Sequence, residues 1–166
     1  MAPNAQTQHQ RRRNITTNSK KKTNCNLYMG ESEEIKLLTR YVILSMLGKS
    51  IEPPFKRAET MKRLVKELEA DNNSFFSNVC QQLDLSTTNA YVSFNAVCDE
   101  IFTDQINWGR IVSYYTFSVK VAQYFQAQRQ DWMEERVILW THEYLAKLEP
   151  WIQEKGRGWV CMHFTD

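Results

Sequence analysis

The stretch from Trp108 to about Gln128 constrains the fold most. Ile111, Val112, Tyr115, Val119 and Ala122 recur there at helical spacing, and Tyr114, Phe117, Val121 and Phe125 fill the neighbouring faces. A helix that is apolar nearly all round has no face to give to water, so other elements must enclose it. Those elements also read as helical. Five Gly and four Pro in 166 residues leave few breakers, 42% of the residues are hydrophobic, and no stretch shows convincing strand alternation.

The enclosing segments follow in order. From Glu31, the residues Ile35, Leu38, Val42 and Met46 share one face, with Ser32 placed to cap, acidic residues in the first turn, and Gly48 placed to close the helix. Pro53-Pro54 forbids helix through the next link, and a second helix from near Ala58 carries Met61, Leu64, Val65 and Leu68. Asp71-Asn72-Asn73 interrupts or ends it. A third segment holds Phe75, Phe76, Val79 and Leu83, and a fourth, after Ser86-Thr87-Thr88, presents Tyr91, Phe94, Val97, Cys98 and Ile101. Beyond the enclosed helix, Asp131 to Leu148 sets Met133, Val137, Trp140, Tyr144 and Leu148 in register, and Pro150 is expected to end that helix. Gly156 and Gly158 break the chain before a last apolar turn, Trp159 to Phe164. The expected fold is all-α: a globular bundle of seven or eight helices around a buried central helix, forming one domain over residues 28–166.

Residues 1–27 are rich in Asn, Gln, Thr, Arg and Lys, and such a segment buries too little to offset the entropy of ordering. It reads as a disordered basic tail. Its clusters Arg11-Arg12-Arg13 and Lys20-Lys21-Lys22 are short enough to be simply solvated.

Composition excludes several function classes. A formal charge of +2 gives the whole chain no strong field toward nucleic acid or anionic lipid. Cys25, Cys80, Cys98 and Cys161 form no C-x-x-C pair and have no histidine at zinc-ligand spacing, so they read as reduced intracellular thiols rather than metal ligands. His9, His142 and His163 lie apart from any nucleophile motif, and Gly156-Arg157-Gly158 neither follows a strand nor opens a nucleotide-binding helix. The sequence thus offers no catalytic residues, no metal site and no cofactor site. The N-terminus lacks an apolar signal core, no run of about 18 apolar residues occurs, and the sequons at Asn14 and Asn72 are read as chance.

One constellation stands out at the head of the enclosed helix. Asn107-Trp108-Gly109-Arg110-Ile111-Val112 follows Glu100-Ile101-Phe102-Thr103-Asp104. Asn107 is placed to cap the helix, Gly109 to let another backbone approach, and Arg110 to offer a charged fork beside apolar surroundings. This stretch resembles the first homology region of the Bcl-2 family of cell-death regulators. Leu148 to Trp159 is similar to the family's second homology region, with Arg157 standing between two glycines that are usually adjacent. Ala90-Tyr91-Val92-Ser93-Phe94 resembles the start of its fourth helix, and Ile35 to Leu47 its N-terminal homology region. The likeness runs from about Glu31 to Phe164. The third homology region, the death-motif helix, falls at Met61 to Glu69, where Met61 replaces the family's Leu and Val65-Lys66 replaces a small residue followed by Asp.

The resemblance implies a pro-survival regulator of apoptosis that is not an enzyme. Its expected partners are the death-motif helices of pro-apoptotic relatives, held in a hydrophobic groove. The groove residues it implies are Leu68, Phe76, Val79, Val97, Ile101, Val112 and Phe117, with Asp104, Asn107, Gly109 and Arg110 at the polar end. Two other readings are a pore-forming effector of the same fold, which Lys66 disfavours because the effector's exchange uses Asp there, and a helical adaptor that binds nucleic acid through the basic tail. The implied location is the cytoplasmic face of the mitochondrial outer membrane or endoplasmic reticulum if a C-terminal anchor exists, and the cytosol for the chain as given.

Overall fold

The computed structural model describes residues 31–154. They form α1 (Glu31–Met46), α2 (Lys56–Asp71), α3 (Asn73–Gln82), α4 (Ala90–Phe102), α5 (Trp108–Ala127), a 3-10 turn (Asp131–Met133) and α6 (Glu134–Glu154). Among the described residues the helix count is therefore six, where seven or eight were expected. The basic tail over residues 1–27, the glycine pair and the apolar turn Trp159 to Phe164 lie outside the described residues.

The boundaries have local causes. Gly48 ends α1 at φ 83°, where a side chain would be strained. Its N–H reaches the Ser45 carbonyl at 3.2 Å and the Lys49 N–H reaches Leu44 at 3.0 Å, which together satisfy two orphaned helix-end carbonyls. Asn72 breaks α2 from α3, its side chain donating to the Leu68 carbonyl at 3.2 Å. Asn107 starts α5 from extended backbone, with Oδ1 accepting the Arg110 N–H at 2.9 Å, as its position in the sequence implies.

Pro150 does not end the last helix: α6 runs through it to Glu154. A proline forfeits one backbone hydrogen bond and crowds the preceding turn. Burial beyond it offsets that cost, since Ile152 is fully buried and Trp151 meets Trp108 edge-to-face with ring centroids 5.8 Å apart.

α5 lies inside, packed by α1, α2, α3, α4 and α6. Tyr114, Tyr115, Phe117, Val119 and Val121 on it are at most 1% exposed, which bears out the reading of an enclosed helix. Its buried polar groups are satisfied as enclosure demands. Tyr115 shares a 3.0 Å hydrogen bond with Thr39 of α1, Tyr114 donates to the Thr141 carbonyl of α6 at 2.9 Å, and Thr116 and Ser118 donate back into their own helix. Burial pushes both tyrosine hydroxyls well above their ordinary titration range, so each stays neutral.

Aromatic contacts fix α4 and α6 around α5. Phe94 stacks on Phe117 at 5.4 Å and lies near Trp140, while Tyr144 stacks on Tyr114 at 5.6 Å and on Phe102 at 5.9 Å. Tyr91, expected on the buried face of α4, is instead 46% exposed and touches only the rim of this cluster at Trp140.

Candidate functional site

Helix periodicity gives α3 and α4 two faces each, and only one face of each reaches the core. On α3, Phe76 is buried while Phe75, its neighbour, is 61% exposed and meets it edge-to-face at 5.3 Å. On α4, Phe94 and Cys98 point inward, whereas Val97 and Ile101 are half-buried. The unfilled space between these faces, floored by α5, is an open cleft of about 560 Å3 lined by Phe75, Phe76, Val79, Ala96, Val97, Glu100, Ile101, Ser113 and Phe117. Apolar surface left open to this extent marks a place where something else packs.

The structure brings together five of the expected groove residues, Phe76, Val79, Val97, Ile101 and Phe117, around this one cleft. Leu68 and Val112 are not among its lining. Leu68 is half-buried against the core, and Val112, one position off the Ser113 and Phe117 face, is 6% exposed and spent on packing. Sequence reasoning missed Phe75, Ala96, Glu100 and Ser113. Helical spacing held the signal for three of them: Ser113 lies four residues before Phe117, and Ala96 and Glu100 flank Val97 and Ile101.

A polar group sits beside the cleft. Arg110 donates to the carbonyl of Ile101 at 2.6 Å and to Asp104 at 3.1 Å. These bonds tie the end of α4 to the first turn of α5 and hold the guanidinium next to a residue that lines the cleft. Asn107 acts through the backbone, as the cap of α5. Gly109 meets no other helix among the described residues: a Cβ there would touch only the Asn107 side-chain oxygen, at 3.3 Å. It leaves room for the cap.

The outer face of α4 is pinned as well. Tyr144 of α6 donates to the Asp99 carboxylate at 2.8 Å, and burial followed by that hydrogen bond pushes its hydroxyl above the ordinary range. The two thiols near the site are poor nucleophiles, since burial pushes Cys80 up to about 11 and Cys98 higher still. Among the described residues no group of His, Cys, Asp and Glu has a metal-holding arrangement. The arrangement can bind an apolar, shaped partner that presents a negative charge near Arg110.

The family model for "Apoptosis regulator proteins, Bcl-2 family" matches residues 61–159. Human Bcl-2-like protein 1 is 32% identical over 116 residues, covering 69% of this chain and 49% of its own, and Xenopus laevis apoptosis regulator R11 is 31% identical over 102 residues, covering 61% and 50%. The chain thus spans about half the length of the curated relatives it matches. Among solved structures, Trichoplax adhaerens trBcl-2L2 bound to trBak BH3 superposes with a TM-score of 0.74 at 28% identity, covering 82% of this chain and 100% of that one. The zebra-fish pro-survival protein NRZ in complex with Bad BH3 superposes with a TM-score of 0.71 at 27% identity, covering 81% and 94%.

Proposed function

The chain belongs to the Bcl-2 family of apoptosis regulators, and from that premise we propose that the cleft between α3, α4 and α5 takes the death-motif helix of a pro-apoptotic relative and sequesters it. One observation carries this reading: an open apolar cleft of about 560 Å3 lies beside a guanidinium bonded to one of its lining residues. An amphipathic helix fits such a site by burying side chains at i, i+3/i+4 and i+7 and presenting one acidic residue to the cation. Phe76, Val79, Val97, Ile101 and Phe117 receive the apolar side chains. Arg110 pairs with the ligand's Asp, exchanging it for Asp104. The protein opposes cell death by binding, without catalysis.

Two further facts support a receptor. The relatives trBcl-2L2 and NRZ were each solved with a BH3 segment bound. The chain's own motif helix, α2, turns Met61 and Val65 fully into the core and carries Lys66, exposed, where a ligand's Asp belongs. Among the described residues no helix is long and apolar enough to cross a membrane. The same reading puts the protein on the cytoplasmic face of the mitochondrial outer membrane or endoplasmic reticulum where a C-terminal anchor accompanies the domain.

A double-mutant cycle tests the reading. Arg110→Ala costs about 1–3 kcal/mol in affinity for a death-motif peptide, given partial exposure. Replacing the peptide's Asp by Ala costs a similar amount, and the two changes together cost little more than either. Fully additive losses would put the ligand's Asp elsewhere and overturn the placement.

A further inference from the structure

α5 carries a single charged side chain after Arg110, and that is Lys120. It does not reach freely into water. Its side chain is 12% exposed, its ammonium lies 3.3 Å from Glu69 of α2, itself 17% exposed, and it donates to the side-chain oxygen of Asn73, the first residue of α3, at 2.9 Å. One lysine on the central helix therefore grips both sides of the α2–α3 corner.

The corner matters because of what α3 is. It is ten residues long and packs against α5 and α2. A cleft flanks it on each side. Phe75, Phe76 and Val79 face the apolar groove, whereas Ser77, Cys80 and Gln81 line a second, polar cleft of about 210 Å3 closed by Lys120, Gln123 and Tyr124. A helix this short, with open space on two sides, has little packing to fix its position. Buried ion pairs of this kind contribute little net stability, because desolvation cancels much of the attraction.

We propose that Lys120 is a positioning residue for the groove: through Glu69 and Asn73 it holds α3, and with it the Phe76 and Val79 wall, in the place that receives the ligand helix. The groove function on which this rests is the one proposed above. Without the clamp α3 samples a wider range of positions, and a ligand must first restore the wall, which weakens binding without any loss of direct contact.

Cys80 reports on α3 independently of any ligand. It is 4% exposed and next to Lys120, whose charge favours its thiolate. Removing the lysine charge alone therefore slows labelling of the thiol, so faster labelling signifies opening of α3.

The test compares the unaltered chain with Lys120→Arg, Lys120→Met, and the double variant Lys120→Met with Glu69→Met, which exchanges the ion pair for apolar packing and keeps the fold should Lys120→Met not fold. Expected in the folded Met variants are labelling of Cys80, located by peptide mapping, about tenfold faster and dissociation of a death-motif peptide about tenfold faster, with Lys120→Arg close to the unaltered chain. In the double variant the melting temperature stays level or rises, which separates positioning from plain stabilisation. Labelling and dissociation both within about twofold of the unaltered chain overturn the proposal, and so does a change in either one alone. If the unaltered chain binds no such peptide, the groove reading fails, and the clamp stands or falls on Cys80 labelling.

Discussion

Arg110 and Asp104 pair at 3.1 Å beside the groove, with 28% of the arginine side chain exposed against 79% of the aspartate. Arg110 is the fixed partner, held also by the Ile101 carbonyl, and the more exposed Asp104 is the one that the proposed ligand would displace. In the free protein, Asp104 occupies the cation that the ligand's Asp is proposed to take. Asp104→Asn should therefore strengthen binding of an acidic death-motif peptide. An exposed ion pair contributes less than about 1 kcal/mol, which limits the gain to roughly fivefold. Isothermal titration of the variant checks this, and a weaker complex would mean that Asp104 contacts the ligand itself.

The Thr39–Tyr115 hydrogen bond joins α1 to α5 where both residues are fully buried. Tyr115→Phe leaves the threonine hydroxyl without its partner and should lower unfolding free energy by about 1–3 kcal/mol. No residue of α1 lines the groove, so peptide affinity should stay the same. Denaturant melts and titrations on one preparation separate the two effects.

Stability should depend weakly on acid through Glu135. The hydrogen bond from Arg40, at 2.7 Å, holds its carboxyl below the ordinary glutamate range, against the opposing effect of burial. A depressed folded value means the contribution is present above the unfolded value and is lost as pH falls through the folded one. The window opens below about pH 5, near ordinary glutamate titration. Because 44% of the arginine and 61% of the glutamate side chain are exposed, solvent screening keeps the contribution under about 1 kcal/mol. Comparing the pH dependence of melting in the unaltered chain and Glu135→Gln isolates it: the variant should show the shallower decline.

The α2 segment should be a poor ligand for relatives. A synthetic peptide over residues 58–83 carries Val65, which adds bulk where a small residue permits close approach, and Lys66, which reverses the charge that pairs with a groove arginine. Changing both, to Gly and Asp, should recover measurable affinity for a pro-survival relative. Tight binding by the unmodified peptide would instead favour the effector reading.

Much of this was legible in the residues because burial leaves a periodic trace. The enclosed α5, the Gly48 stop, the Asn107 cap and the Asn72 break each follow from local chemistry that tertiary packing did not override. Pro150 misled because the gain that carries α6 past it comes from Ile152 and from Trp151 against Trp108, a contact between residues distant in sequence. The groove was partly visible for a similar reason. Val97 and Ile101 share a stripe, but an apolar stripe does not say whether a helix or empty space covers it, so Val112 and Leu68 looked equivalent to Val79. Phe75 and Lys120 escaped because each breaks the local pattern, one as an exposed aromatic and the other as a nearly buried cation, and only the assembled fold shows what each faces.

The central claim is that a helix binds in this cleft, and titration calorimetry of a death-motif peptide against the unaltered chain and Val79→Asp tests it most directly. Val79 lines the cleft and is half-buried, so the new carboxylate meets the ligand's apolar face while the core remains intact. The unaltered chain should bind with about −8 to −12 kcal/mol. The variant should lose at least about 2–3 kcal/mol, the cost of burying an unpaired polar group, and should keep its cooperative melt. No heat from the unaltered chain across a broad set of such peptides, or equal affinity for a folded Val79→Asp, would contradict it.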